Sequence, residues 1–211
     1  MSSRYAARHS TPVKPALNAG LSLFVEPDAP QSVWLRIVLG EKAVDGSRVE
    51  AINVATAGED FFTLSPTGTL PVLADRTGVV TGAVTIAEYL DERYPHPPLM
   101  PLGPAPRAQA RMFMQQFQTA LFPAAAEASA AAGLPEVCRR LLEDAARRFA
   151  GRTGQGLCGR GYTLVDAALV ALLYSLRRTG VTLPDLGPGF ERQSEALFER
   201  PAVAQALGAC Q

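Results

Sequence analysis

The sequence predicts a chain of two parts, a small α/β domain followed by an all-helical domain. Short apolar runs alternate with helical patterns over about 75 residues, in the order β-α-β-(α)-β-β-α. A Pro-rich segment then interrupts regular structure. Beyond it, apolar residues recur only at helical spacing, so the second part is expected to consist of helices.

The overall composition is that of a globular chain without an excess of charge. The chain has 211 residues, of which 47% are hydrophobic, with 20 basic and 20 acidic side chains. That length suits one large domain or two small ones around a substantial core. Because the formal net charge is zero, no broad basic surface is expected, and neither is direct sequence-specific DNA binding.

The chain contains three cysteines, Cys138, Cys158 and Cys210, and two histidines, His9 and His96. These residues form no CxxC pair and no metal-ligand spacing, so no zinc site, redox centre or cofactor is expected. An odd number of scattered thiols favours a reducing compartment. No apolar run reaches the ~18 residues of a membrane span, and the basic N-terminus lacks a secretory apolar region. A cytoplasmic protein without a membrane partner is therefore expected.

Residues 1–20 are rich in Ser, Ala, Pro and basic residues, which predicts a disordered N-terminal tail. The α/β domain is expected to occupy residues 21–94. Its elements are expected at 21–25 (strand), 32–42 (helix), 48–54 (strand), 55–69 (irregular, with a short helix), 71–74 and 78–81 (a hairpin) and 84–93 (helix).

Residues 95–106 are expected to form a linker, with prolines at positions 95, 97, 98, 101, 104 and 106. Because proline fixes φ, the backbone of this linker is expected to be restricted rather than floppy. The all-helical domain then covers residues 107–211, with helices expected at 107–131, 136–149, 164–176, 191–198 and 203–207. The run at 164–176 is apolar nearly all round, which predicts a central buried helix.

Two motifs in this arrangement resemble the glutathione-transferase fold, in which a thioredoxin-like domain precedes an all-helical one. Residues 65–73 (SPTGTLPVL) resemble that family's loop into its third strand. This resemblance implies a cis peptide bond before Pro71 and a backbone contact from Leu70 to the ligand. Thr163 and Asp166 resemble the family's N-capping box. Their spacing supports the box independently, since the Thr163 hydroxyl can bond the N3 amide while Asp166 reaches back, so Asp166 is interpreted as structural.

The chemistry of a glutathione transferase requires a hydroxyl or thiol that stabilises the glutathione thiolate. In many bacterial members a Ser or Cys stands directly before a proline, seven residues ahead of a helical arginine. Counting back from Arg36 gives Ala29, followed by Pro30. Alanine can neither donate a hydrogen bond nor form a thiolate. Ser32 would replace it only if the loop shifted, and such a serine is more often the N-cap of the first helix.

The same chemistry requires an acid and a serine at the start of the third helix, where they hold the γ-glutamyl end of glutathione. Gly82 and Ala83 stand in that register. Loss of several polar partners weakens binding by about 1–3 kcal/mol for each group left unsatisfied. No catalytic residue and no cofactor are therefore assigned, and transferase activity is expected to be absent. The vestigial glutathione site consists of Ser32, Leu70 and Pro71.

Residues 88–101 (EYLDERYPHPPLMP) closely resemble a stretch of the stringent starvation protein A family, and residues 32–42 and 198–200 are also similar to it. This resemblance implies a homodimeric, noncatalytic transcription regulator of the stress or starvation response that binds RNA polymerase holoenzyme, with sigma factor. The implied partner-binding residues are Tyr94, Pro95, His96, Pro97, Pro98 and Leu99. The prolines fix the backbone before a partner arrives, which limits the entropy lost on binding, and aromatic rings are favoured at recognition hot spots.

Other interpretations stay open from the sequence alone. The Pro-His-Pro run is a rigid interdomain linker in one of them. In another, the chain is a glutathione-dependent transferase acting on small electrophiles, with Ser32 or a backbone amide on the thiolate. In a third, the fold is retained but the partner is not polymerase. His96 could also act as a general base, but no nearby Ser, Cys or carboxylate in the sequence forms an obvious dyad with it.

Overall fold

The structure is a computed structural model that describes residues 20–150 and 155–208. Apart from Gly20, the predicted tail at residues 1–20 lies outside these residues, and so does Cys210.

The described chain begins with an α/β part and continues with a helical part. The α/β part consists of β1 (Ser22–Val25), α1 (Pro30–Glu41), β2 (Arg48–Ala51), a 3-10 turn (Val54–Thr56), α2 (Glu59–Leu64), β3 (Val72–Asp75), β4 (Gly78–Thr81) and α3 (Ala83–Arg93). The helical part consists of α4 (Pro104–Gln116), a π-helical turn (Phe117–Leu121), α5 (Phe122–Glu127), α6 (Glu136–Phe149), β5 (Gln155–Gly156), β6 (Gly159–Arg160), α7 (Leu164–Arg178), α8 (Gly187–Phe198) and α9 (Pro201–Gly208). The predicted fold class is confirmed, with the small hairpin β5–β6 as an addition that the sequence did not predict.

The main sheet has the strand order β2-β1-β3-β4. β1 pairs in parallel with β2, with Leu23 opposite Val49, and antiparallel with β3, with Leu23 opposite Leu73. β3 and β4 form the predicted hairpin. All four residues of β3 are buried, whereas all four of β2 are exposed, because β3 lies inside the sheet and β2 at its edge.

Several helix ends differ from the predicted ones for identifiable reasons. α1 begins at Pro30, and α4 begins at Pro104, inside the segment predicted to be a linker. Proline is favourable at the first helical position, because an N–H there would have no acceptor within the helix and its absence costs no hydrogen bond. The long helix predicted at 107–131 is interrupted by the π-helical turn, and α5 ends at Glu127. α6 has the predicted bounds.

The start of α7 is fixed by the capping box that the sequence predicted. The Asp166 carboxylate accepts hydrogen bonds from the Thr163 amide at 2.8 Å, from the Thr163 hydroxyl at 2.6 Å and from the Leu157 amide at 2.8 Å. Burial raises the pKa of Asp166, and these hydrogen bonds oppose that shift. The chain also needs a glycine beside this carboxylate, because a Cβ at Gly156 would collide with Asp166 and with the Gly161 carbonyl.

We expect the substitution Asp166→Ala to lower the free energy of unfolding by at least about 2 kcal/mol. It leaves the buried amides of Leu157 and Thr163 without their acceptor, at about 1–3 kcal/mol for each unsatisfied group. Urea denaturation measures the loss. The control is Asp144→Ala, which removes surface ion pairs with Arg147 and Arg148, each worth about 0.3–0.5 kcal/mol. An equal or larger loss in the control would contradict the role given to the capping box.

Candidate functional site

A cleft of about 730 Å³ lies where the α/β part meets the helical part. The loop after β1, the start of α1, the loop before β3, the start of α3 and helices α5 and α7 line this cleft. The sequence resemblance aligns three pairs of residues with the glutathione-contact positions of a transferase, and the structure brings all three to the cleft: Ala29–Pro30, Leu70–Pro71 and Gly82–Ala83.

The wall formed by α1 carries no polar side chain at the nucleophile position. Ala29 is the N-cap of α1, and no side-chain hydrogen bond caps the helix there. Ser32 lies in the first turn of the helix and is therefore not its N-cap, because Pro30 begins the helix earlier. The Ser32 side chain is buried, does not line the cleft, and has no hydrogen-bond partner for its hydroxyl among the described residues.

The loop before β3 presents backbone rather than side-chain chemistry to the cleft. The peptide bond between Leu70 and Pro71 is cis. The Ser65 hydroxyl donates a hydrogen bond to the Thr69 carbonyl at 2.9 Å and holds the loop closed on itself. Thr69, Leu70 and Pro71 all border the cleft, so the main chain is what this loop offers to a ligand.

The start of α3 forms the third wall. Gly82 is its N-cap with φ of 85°, a conformation that favours glycine, and the first turn of α3 contains no acid. Neither Gly82 nor Ala83 has a side chain that could bind the charged end of glutathione. The two side chains that a transferase needs here are therefore absent from these positions.

An ion pair that the sequence did not predict borders the same cleft. Arg178 of α7 donates to the Asp28 carboxylate in the loop before α1. This hydrogen bond lowers the pKa of Asp28, with a further contribution from the charge of Arg178. The two residues are 150 positions apart in sequence, so no local pattern could have indicated the pair. Its effect is to neutralise a cation that faces the cleft.

The segment after α3 carries the predicted partner-binding residues. Four of them are exposed and Tyr94 is half-buried; the exposed residues are Pro95, His96, Pro97 and Pro98. Leu99 is only 2% exposed and lies in the hydrophobic core beside Met100. Its side chain is therefore not part of a surface. The His96–Pro97 peptide bond is cis, and the Arg93 guanidinium lies 5.7 Å from the centre of the Tyr94 ring.

A buried ion pair that the sequence analysis missed lies directly beneath this segment. Lys42, at the C-terminal end of α1, binds the Asp91 carboxylate at 2.6 Å, and its side chain is 0% exposed. The same ammonium group donates to the carbonyls of Tyr94 at 2.8 Å and Pro97 at 2.6 Å. Asp91 in turn accepts from the amide of Leu99 at 2.7 Å, and from the next amide along the chain at 3.2 Å. Buried side chains thus hydrogen-bond the backbone within the exposed segment and directly after it.

The described cysteines do not form a reactive centre. Cys138 and Cys158 are both buried and free. Burial raises the pKa of Cys138 to about 11 and that of Cys158 to about 12. Both thiols are therefore protonated near neutral pH and are poor nucleophiles.

Residues 20–150 and 155–208 contain neither a candidate metal site nor a candidate membrane span. No group of His, Cys, Asp or Glu side chains there is arranged to hold a metal ion. None of the helices in that part of the chain combines the length and the apolar character that crossing a membrane requires.

The sheet order, the cleft with its cis-proline loop and the capping box of α7 define a chain of the glutathione-transferase fold. Residues 30–93 match the family described as Glutathione S-transferase, N-terminal domain. A sphingomonad glutathione S-transferase, solved in complex with glutathione, superposes with a TM-score of 0.74 at 26% identity, over 90% of this chain and 98% of that one.

Relatives that match nearly the whole chain identify a narrower family. The stringent starvation protein A homolog of Histophilus somni is 32% identical over 89% of this chain and 90% of its own. The homolog of Pasteurella multocida is 33% identical over 82% of this chain and 84% of its own. The chain therefore belongs to the stringent starvation protein A family.

We expect Ser32→Ala to raise the free energy of unfolding by about 1 kcal/mol. A buried hydroxyl without a partner carries a desolvation cost of about 1–3 kcal/mol, which the substitution removes, and alanine has the higher helix propensity. Urea denaturation measures the gain. The control is Ser194→Ala, in which a buried helical hydroxyl loses a real hydrogen bond to the Glu191 carbonyl. If Ser32→Ala destabilises the chain as much as the control, the hydroxyl has a partner and its assignment here is wrong.

Proposed function

We propose that this chain is a noncatalytic, homodimeric adaptor of the cytoplasm that binds RNA polymerase holoenzyme, with sigma factor, in a stress or starvation response. The proposed contact is the Pro-His-Pro surface, which consists of Tyr94 and the four exposed residues 95–98. The observation that carries the proposal is that this surface is exposed while its backbone is held from below by buried hydrogen bonds.

The rigidity of the Pro-His-Pro surface suits it to recognition. Three of its five residues are prolines, and the carbonyls of Tyr94 and Pro97 are bound by Lys42. A segment that is already ordered loses little conformational entropy when a partner binds. The rings of Tyr94 and His96 combine an apolar face with a polar edge, and amphipathic rings of this kind are favoured at the centres of protein interfaces.

The cleft supports the noncatalytic part of the proposal. Ala29, Gly82 and Ala83 stand where a transferase places the groups that activate the thiol and bind its charged end. Arg178, which could otherwise attract an anionic ligand, is paired with Asp28. The polar side chains that remain at the cleft, among them Glu26, Gln31 and Gln118, do not stand at the positions of those groups, so they are not expected to select glutathione.

The identity of the partner rests on family membership. The relatives that cover nearly the whole chain are stringent starvation protein A homologs. Residues 88–101, which contain the Pro-His-Pro surface, closely resemble a stretch of that family. The assignment to polymerase, to sigma factor and to a dimer follows from that resemblance.

We expect the double substitution Pro95→Ala with His96→Ala to weaken binding to polymerase holoenzyme at least tenfold, which corresponds to about 1.4 kcal/mol. It removes exposed side chains but retains both carbonyls that Lys42 binds, so the thermal midpoint stays close to that of the wild type. Surface-immobilised holoenzyme titrated with the purified chain measures the affinity.

The control for this experiment is Leu102→Ala, which truncates an exposed apolar residue outside the Pro-His-Pro surface. Sedimentation velocity checks that wild type and variants share the proposed dimeric state. If the double variant binds holoenzyme as tightly as the Leu102→Ala control, the Pro-His-Pro surface is not the contact.

A second candidate function, glutathione-dependent transfer to small electrophiles, is favoured by one feature. The cis-proline loop at Leu70–Pro71 still borders the cleft, and the sphingomonad enzyme of the same fold was solved with glutathione. Calorimetric titration with millimolar glutathione tests this candidate. We expect no saturable heat and no thermal shift, because the side chains of Ala29, Gly82 and Ala83 provide no hydrogen bonds. Saturable binding would favour the enzyme over the adaptor.

A further inference from the structure

The Pro-His-Pro surface has too few backbone donors to hold its own shape. Residues 95, 97 and 98 are prolines, so none of them has an amide N–H. Within residues 94–98, only Tyr94 and His96 can donate from the main chain, and the Tyr94 amide already completes the last turn of α3 by binding the Leu90 carbonyl. A carbonyl of this segment that is turned away from solvent therefore needs a donor from elsewhere in the protein.

Lys42 supplies that donor from inside the turn. An ammonium group has three N–H donors and no acceptor. The three oxygens within reach of the Lys42 Nζ atom are Asp91 Oδ1 at 2.6 Å, the Tyr94 carbonyl at 2.8 Å and the Pro97 carbonyl at 2.6 Å. The number of donors equals the number of acceptors, and two of these acceptors flank the exposed Pro95 and His96.

Asp91 holds the far side of the same segment. Its carboxylate accepts from the amides of Leu99 and Met100, the first residues after the prolines that have an N–H to give. The Leu99 carbonyl accepts from the amide of Leu164 at 2.9 Å, which fixes this point to the start of α7. The backbone of the exposed residues is thus hydrogen-bonded to Lys42 at residues 94 and 97, and to Asp91 directly after the last proline.

We propose that Lys42 and Asp91 are positioning residues for the Pro-His-Pro surface, so that partner binding depends on a buried pair that never touches the partner. This inference rests on the proposed function of that surface. A buried ion pair is often neutral for stability when compared with apolar residues of the same shape. The role of this pair is therefore conformational: it specifies where the carbonyls of Tyr94 and Pro97 lie, and with them the ring of His96.

The test compares Lys42→Met with a matched control, Arg200→Met. Arg200 forms the other ion pair at this end of α1, binding Glu41 through two hydrogen bonds at 2.6 and 2.7 Å, and makes no hydrogen bond to the Pro-His-Pro surface. Both substitutions leave a carboxylate of low exposure without its cation. Urea denaturation shows what each costs in stability, so that general destabilisation can be separated from positioning.

The readout that is independent of polymerase is the NMR signal of the His96 ring. The chain contains only two histidines, His9 and His96, so the ring signals are assigned with a single His96→Ala variant. We expect Lys42→Met to shift or broaden the His96 signal and to weaken holoenzyme binding at least tenfold. We expect Arg200→Met to leave both at wild-type values. Identical behaviour of the two variants in both readouts would overturn the inference.

The two proposals fail in distinguishable ways. If Lys42→Met moves the His96 signal but neither it nor the Pro95→Ala and His96→Ala variant changes polymerase binding, positioning is supported and the proposed function is overturned. Should Lys42→Met fail to fold, Asp91→Asn replaces it: the amide oxygen still accepts from Leu99, but the charge that faces Lys42 is lost and the NH2 group cannot accept from Met100. We expect at least tenfold faster hydrogen exchange at the Met100 amide and a shifted or broadened His96 signal in that variant, and wild-type values of both would overturn the inference.

Discussion

Lys42 carries a positive charge into the protein interior, where no part of its side chain reaches solvent. Removing such a charge from water costs several kcal/mol, and this cost is recovered only when oppositely charged and dipolar atoms surround it. Asp91 supplies the opposite charge and the carbonyls of Tyr94 and Pro97 complete the shell. Because those carbonyls belong to the segment between α3 and α4, the charge of Lys42, directly after α1, determines the path of that segment.

Helix α1 also connects the α/β part to the helical part through hydrogen bonds of its side chains at two further points. The Trp34 ring nitrogen donates to the Leu164 carbonyl at 2.9 Å, in the first turn of α7. At the other end, Glu41 binds Arg200, whose guanidinium lies 3.8 Å from the centre of the Tyr162 ring. These polar contacts sit among buried apolar side chains, so they fix the orientation of surfaces that the hydrophobic effect alone would hold together without direction.

Local patterns predicted the elements that depend on local interactions. Thr163 and Asp166 are three positions apart, and one turn of helix brings them together whatever the rest of the chain does. Helix 136–149 was predicted with its observed bounds because its apolar face and its Arg-rich face alternate with helical period. Lys42 and Asp91 are 49 positions apart, and each alone resembles an ordinary surface charge. Their pairing is decided by the packing of α1 against α3, which no short pattern contains.

The two ends of α3 explain how side chains at one surface of this fold can change without disturbing another surface. Gly82 and Ala83 stand at its N-terminus, on the cleft, and Asp91 stands near its C-terminus, beneath the Pro-His-Pro surface. Eleven residues of helix separate the ends by about 16 Å. Ile86 and Leu90, on the stretch of helix between these ends, are buried in the core. The position of α3 therefore does not depend on polar side chains at the cleft. Substitutions that remove ligand contacts at the first end therefore leave the second end in place.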